Sequence, residues 1–137
     1  MAGIGRTTVS LRFSGRDLDP QDIDRDLGLI ATKSFKRGEV AGWGRYTSKA
    51  ADEGFWSHRT EDRAPGDLDG QIADLFECAT SDPAVWTRLS SRFGADLSCG
   101  LFMVETNEGL SLSASTLAAI SFRGLELGFD IYDPERP

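Results

Sequence analysis

The sequence predicts an α+β domain. It should hold a mostly antiparallel sheet of about five strands, with helices mainly on one face and ferredoxin-like split β-α-β units. Three observations lead there. Val9, Leu11 and Phe13 alternate with Thr8, Ser10 and Arg12, the period of two of a strand with one buried face. Leu18-Asp19-Pro20, followed by Ile23, Leu27 and Gly28, carries the start and stop signals of a short helix. The same sequence of events returns late in the chain, where Leu112-Ser113-Ala114, Leu117 and Gly124-Leu125 parallel Leu18-Asp19-Pro20, Ile23 and Gly28-Leu29. The full order reads β-α-β-β-α-α-β-α-β, in a single domain over residues 1–137 with its core at about 7–133.

The first strand ends at Ser14-Gly15. Asp19 is placed as N-cap, Pro20 falls at the first helical position, and Asp22 sits at the positive end of the helix dipole. Leu18 and Ile23 occupy the two positions of a hydrophobic staple. The cap contributes about 1 kcal/mol and each other signal a few tenths, enough to fix a boundary. Leu29–Phe35 is predicted extended, and Lys36-Arg37-Gly38-Glu39 forms a turn. The glycines flanking Trp43 predict irregular backbone, with a short strand over Arg45–Ser48.

Gly54–Thr60 is the next strand, with Trp56 and His58 on one face and Phe55, Ser57 and Arg59 on the other. Thr60–Gly66 is charged and contains Pro65, which predicts a mobile loop. Leu68, Ile72, Leu75, Phe76 and Ala79 recur at helical spacing, capped by Asp67 or Asp69. Ser81-Asp82-Pro83 opens another helix, with Val85, Trp86, Leu89 and Phe93 inward. Leu97, Cys99, Leu101 and Met103 alternate, and Phe102 and Val104 make the second face apolar, as in a central strand. Asn107-Glu108-Gly109 reads as a turn. Ser113–Thr116 opens a helix with Leu117 and Ile120 inward, and Leu125, Leu127, Phe129 and Ile131 alternate as a last strand before a frayed Asp133–Pro137 tail.

Composition narrows the function. A net charge of −7 argues against nucleic-acid binding, which needs a basic surface to displace counterions, and against an anionic membrane surface. Two cysteines do not make a disulfide framework, so both are expected reduced, Cys99 in the core. No apolar h-region follows Met1, and no run reaches the ~20 apolar residues of a membrane helix, so a soluble, cytoplasmic domain is expected.

The order and spacing of several stretches carry a resemblance. They are Leu18-Asp19-Pro20, Leu27-Gly28-Leu29, Lys36-Arg37-Gly38-Glu39 and Gly54-Phe55-Trp56-Ser57, then Leu68–Phe76, Leu117–Leu125 and Phe129-Asp130-Ile131-Tyr132. From about Thr7 to Asp133 the chain resembles the bacterial domain-of-unknown-function family 4279. The resemblance implies a small stand-alone bacterial domain, with Trp56 as its landmark, and carries no activity, cofactor or catalytic residue.

No catalytic constellation is legible. His58 is the one histidine, and neighbouring Ser57 faces the other side of its strand, which disfavours a Ser-His-Asp triad. No closely spaced Cys/His pair suggests zinc, and Gly42-Trp43-Gly44 lacks the third glycine of a dinucleotide loop. The paired carboxylates fall at caps and turns, and Asp67-Leu68-Asp69-Gly70 lacks the later ligands of a calcium loop. No cofactor or metal is expected. One cluster stands apart: Lys33, Lys36, Arg37, Arg45 and Lys49 crowd a segment opposed only by Glu39, with Trp43, Tyr46 and Trp56 interleaved and His58 and Arg59 adjoining. Arginine with aromatic residues is the composition of interface hot spots, and also of anion sites. Lys36, Arg37, Trp43, Arg45, Trp56, His58 and Arg59 are therefore the candidate partner- or ligand-binding residues.

The leading expectation is a non-enzymatic binding domain, with an immunity-type inhibitor of a basic toxin-like protein as one form, since an acidic inhibitor complements a basic partner. The alternative is a small-anion or nucleotide sensor using the Lys33–Arg59 region. An enzyme of unfamiliar chemistry would need Arg45, His58 and a carboxylate to converge. Open sheet edges also leave room for a homodimer.

Overall fold

The computed structural model describes residues 2–40 and 49–134. Its main sheet has five strands: β2 (Arg6–Gly15), β3 (Lys33–Phe35), β4 (Gly54–Arg59), β5 (Gly94–Phe102) and β7 (Glu126–Tyr132). Between them run α1 (Pro20–Leu27), α2 (Leu68–Cys78), α3 (Pro83–Arg92) and α4 (Ala114–Phe122). This is the predicted α+β class and the predicted element order. Two further short strands, β1 (Ala2–Gly3) and β6 (Glu108–Gly109), pair in parallel with each other, so the segment read as a turn at Asn107–Gly109 is partly strand.

The order across the sheet is β3-β4-β2-β5-β7. β2 lies antiparallel to both β4 and β5, β3 is antiparallel to β4, and β7 runs parallel to β5. Two split units follow. β4 is inserted between the parallel strands β2 and β3 that α1 connects, and β2 between β4 and β5, which α2 and α3 connect. The late echo in the sequence is a different object. β5 and β7, joined through α4, are direct neighbours, so that unit is a plain parallel pair added at the edge. The local signals of cap, helix and glycine are the same in both cases; whether a third strand enters is decided by pairing far away in sequence.

Each helix begins where its cap predicts. The carboxylate of Asp19 accepts from the Gln21 amide, Asp67 from Gly70, Asp82 from Ala84, and the Ser113 hydroxyl from Thr116. Gly28 ends α1 at φ 72°, a left-handed conformation that glycine adopts without a Cβ penalty. The core lies between the helices and the odd-numbered residues of β2. Val9, Leu11 and Phe13 meet Leu97 and Cys99 of β5, Trp56 of β4, and Ile23, Leu27, Ile72, Leu75, Trp86 and Leu89 from the helices. One expectation on the inward face changes. In α4, Thr116 and Ile120 are the buried pair and Leu117 is exposed, because the face turned inward is set by the i, i+4 row that meets the core. In β7, Phe129 and Ile131 alternate as expected but remain exposed, since the strand closes the sheet's edge.

The Thr60–Gly66 loop is tied down rather than free. The Arg63 amide and carbonyl both bond to Thr7, and the Gly66 amide donates to the Ile4 carbonyl. Behind it Gln71, 1 % exposed, donates its amide to the carbonyls of Thr7 and Glu61 (3.0 Å each), while the Thr7 hydroxyl donates to the Gln71 Oε1. Nothing in the local pattern singles out this glutamine as buried. It is found only by seeing that a loop carbonyl and a strand carbonyl converge on it.

Candidate functional site

Strand alternation separates the residues of the expected patch. Trp56 and His58 point to the helix side of the sheet, where they pair with Phe13 and Leu11, whereas Arg59 points to the other side, opposite Ser10. Trp56 is 0 % exposed. Its indole Nε1 donates to the Asp24 Oδ1 at 2.7 Å, and its ring packs against Phe13 at 5.7 Å and His58 at 6.3 Å. The expectation that it faces a partner is thereby corrected: its indole is held inside by α1 and β2. His58 is half-buried, with Nδ1 2.7 Å from the Ile30 carbonyl. A carbonyl only accepts, so Nδ1 carries the proton and neutral His58 presents an unprotonated Nε2. A triad would require Nδ1–H to donate to a carboxylate, and here it donates to the Ile30 carbonyl instead.

Lys36 is exposed and its Nζ lies 3.6 Å from Asp19 Oδ2, while Arg37 is exposed in the turn closed by the Glu39 amide on the Lys36 carbonyl. Trp43 and Arg45 lie outside the described residues, as do Tyr46 and the strand expected at Arg45–Ser48. Arg59 pairs with Asp62 at 2.9 Å, and Arg6 reaches the other oxygen of Asp62 at 2.7 Å. The hydrogen bond from Arg59, helped by Arg6, holds the Asp62 carboxyl below its ordinary value.

His58 and Arg59 line one side of a groove of about 470 Å³ whose other wall is α2. Arg63, Asp74 and Cys78 also line it, and Arg63 is bonded to both Asp67 and Asp74. Cys99, the other thiol, is core, and burial pushes it up to about 12. Among the described residues no three His, Cys, Asp or Glu side chains come together to hold a metal.

The sheet face opposite the helices is the larger feature. It carries the even-numbered residues of β2, Arg6 to Ser14, with their cross-strand partners. Phe35 stacks on Phe55 at 5.4 Å at one corner, and Phe102 stacks on Tyr132 at 4.5 Å at the diagonal corner, with the Arg6 guanidinium 3.7 Å above Phe102. Small residues lie between, and the Gly100 amide donates to the Thr8 hydroxyl at 3.1 Å. Charge is segregated across this face. Lys33 and Arg59 stand on β3 and β4, whereas Asp96, Glu126 and Asp130 stand on β5 and β7. Arg12 joins the halves through a two-pronged pair with Asp96 at 2.8 and 2.7 Å, and that bond raises its affinity for its proton, with Coulomb attraction from Asp130 adding to it. Glu53, Phe55, Asp96 and Glu126 surround a depression of about 320 Å³ beside Arg12.

The sequence patch thus divides into a buried tryptophan, a histidine turned to the groove and an arginine on the open face. The acidic half of that face was not singled out from the sequence. Its signal was the alternation of Glu126 and Asp130 with apolar residues, read there only as marking a strand.

No helix among the described residues is long and apolar enough to cross a membrane. No curated protein and no solved structure matches the chain. A family model described as "Domain of unknown function (DUF4279)" matches residues 5–134, nearly the whole chain. The protein therefore belongs to the family of domains of unknown function DUF4279.

Proposed function

We propose that the chain is a binding domain rather than an enzyme, and that it meets a basic protein partner through the helix-free face of its sheet. The observation that carries this reading is the character of that face. It is a continuous five-strand surface with stacked aromatic pairs at two corners and Asp96, Glu126 and Asp130 grouped on one half. Rigid aromatic anchors and complementary charge are what a specific interface uses. Glu126 and Asp130 are exposed, and Arg12, on the same face, is already engaged by Asp96. An inhibitor of a basic toxin, acting as an immunity protein in a bacterial cytoplasm, is the specific form we favour; two free cysteines and the net charge of −7 support it.

Affinity capture from cells that naturally produce the protein tests the reading, run in parallel with the wild type and with Glu126→Lys/Asp130→Lys. The expected result is a basic protein retained by the wild type and lost by the charge-reversed variant. Equal retention by both, or retention of nothing under low-salt conditions, would refute it.

The groove beside His58 favours a second reading, a small-anion sensor. Arg59 and Arg63 line it, although an anion there would compete with Asp62, Asp67 and Asp74 for them. A thermal-shift screen of phosphates, nucleotides and carboxylates decides: a true ligand at 100 times its Kd adds about 2.7 kcal/mol, and no shift from any of them removes this option.

A further inference from the structure

The outer edge of the sheet is β7, Glu126–Tyr132. Exposed edges are usually blunted by lysine, proline or a bulge. β7 has no lysine or proline, and its register with β5 runs unbroken from Asp96↔Glu126 to Phe102↔Tyr132. On the helix side of the sheet its Phe129 and Ile131 are 45 % and 65 % exposed, although their β5 neighbours Cys99 and Leu101 are buried.

We infer that β7 pairs antiparallel with β7 of a second copy of this chain, about a two-fold axis at Phe129, to make one sheet continuous through both copies. The backbone sets which groups are available. The Met103 amide donates to the Tyr132 carbonyl at 3.1 Å, so the polar groups of Tyr132 face β5. By strand alternation, Leu127, Phe129 and Ile131 turn theirs outward. The two-fold sets Phe129 opposite Phe129 and Leu127 opposite Ile131, which satisfies these groups in about six new hydrogen bonds. It also runs the exposed apolar side chains of both copies into one stripe.

Charge selects this register over its neighbours. With the axis at Phe129, Glu126 faces Tyr132 and Asp130 faces Gly128. Moving the axis to Gly128 sets Glu126 against Asp130, and moving it to Asp130 sets that aspartate against itself; like charges directly opposite are unfavourable. The inference is independent of the partner proposed above, because the pairing uses the edge and leaves the open face accessible.

Sedimentation equilibrium of the intact chain, from about 1 to 100 µM, tests it. The wild type is expected to approach twice 14.9 kDa, and Ile131→Lys to remain at 14.9 kDa with an unchanged far-UV circular dichroism spectrum. The register is tested at Gly128, where an added Cβ would meet only the Leu97 carbonyl at 3.9 Å, an ordinary contact. Gly128→Lys brings a cation opposite Asp130 of the second copy and Gly128→Glu an anion. The dimer Kd should differ about tenfold between them, or ~1.4 kcal/mol, with the lysine variant tighter. A wild type that stays monomeric throughout, a dimer indifferent to Ile131→Lys, or equal or reversed affinities for the Gly128 variants would each overturn the inference.

Discussion

Replacing Gln71 by methionine removes the polar joint between α2, β2 and the Thr60–Gly66 loop while nearly conserving volume. The wild-type amide donates to two carbonyls at 3.0 Å and accepts from the Thr7 hydroxyl, in a site 1 % exposed. Each such bond contributes about 1 kcal/mol net, and a buried polar group left without a partner costs about 1–3 kcal/mol. The Thr7 carbonyl retains the Arg63 amide and the Glu61 carbonyl retains the Thr60 hydroxyl at 3.4 Å, so desolvation falls chiefly on the Thr7 hydroxyl, whose proton loses its acceptor. The sum is about 3 kcal/mol. Against a total of roughly 10 kcal/mol for a domain of this size, that is a large fraction. It corresponds to a fall of roughly 10 °C in Tm. Urea denaturation followed by far-UV circular dichroism measures it, in a cycle with Thr7→Val. The two substitutions share one bond, so the double variant should be milder than the sum of the singles by about 1 kcal/mol. A cost below about 1 kcal/mol for Gln71→Met, or strict additivity in the cycle, would show that the joint is not what holds the loop.

Three further outcomes are expected. Asp24→Ala orphans the indole of Trp56 and the Ala31 amide, both bonded to Asp24 Oδ1, and should cost about 2–3 kcal/mol by urea titration, whereas Asp24→Asn, which keeps that oxygen, should cost less than half as much. Thiol titration of the native protein should modify Cys78 promptly and Cys99 only as the chain unfolds, because Cys78 is exposed while Cys99 is buried and its thiol is pushed up to about 12; rapid modification of both would contradict the packing. The folded-state value of Asp62 is depressed, so its contribution is complete above the unfolded value near 4 and is lost as pH falls through the folded value. Asp62→Asn should therefore flatten the stability curve below about pH 4, and an unchanged slope there would remove the Arg59–Asp62–Arg6 bridge as a source of stability.

Features fixed within a turn of chain were legible before the structure. Asp19, Asp82 and Ser113 announce their helices because a cap is a contact over two or three residues, and Gly28 ends α1 for an equally local reason. Strand periodicity likewise revealed that Trp56 and His58 leave β4 on the side opposite Arg59. What it did not reveal is which side is covered. Trp56 carries an aromatic ring suited to a binding surface, yet Asp24, remote in sequence, draws its indole inward. The limit is the same in β7: alternation reports a two-sided strand, and only its place at the end of the sheet leaves Phe129 and Ile131 uncovered. The acidic half of the open face needs Asp96 of β5 and Glu126 of β7 side by side, a pairing no local pattern encodes.

Carboxyl footprinting of the protein with and without its captured basic partner tests the account most directly, because it reads the acids of each face separately. Reduced labelling of Glu126 and Asp130 on the sheet, with Asp22 and Glu77 on the helices unaffected, is the predicted result. Protection confined to the helix-side carboxylates, with Glu126 and Asp130 labelled as in the free protein, would contradict it.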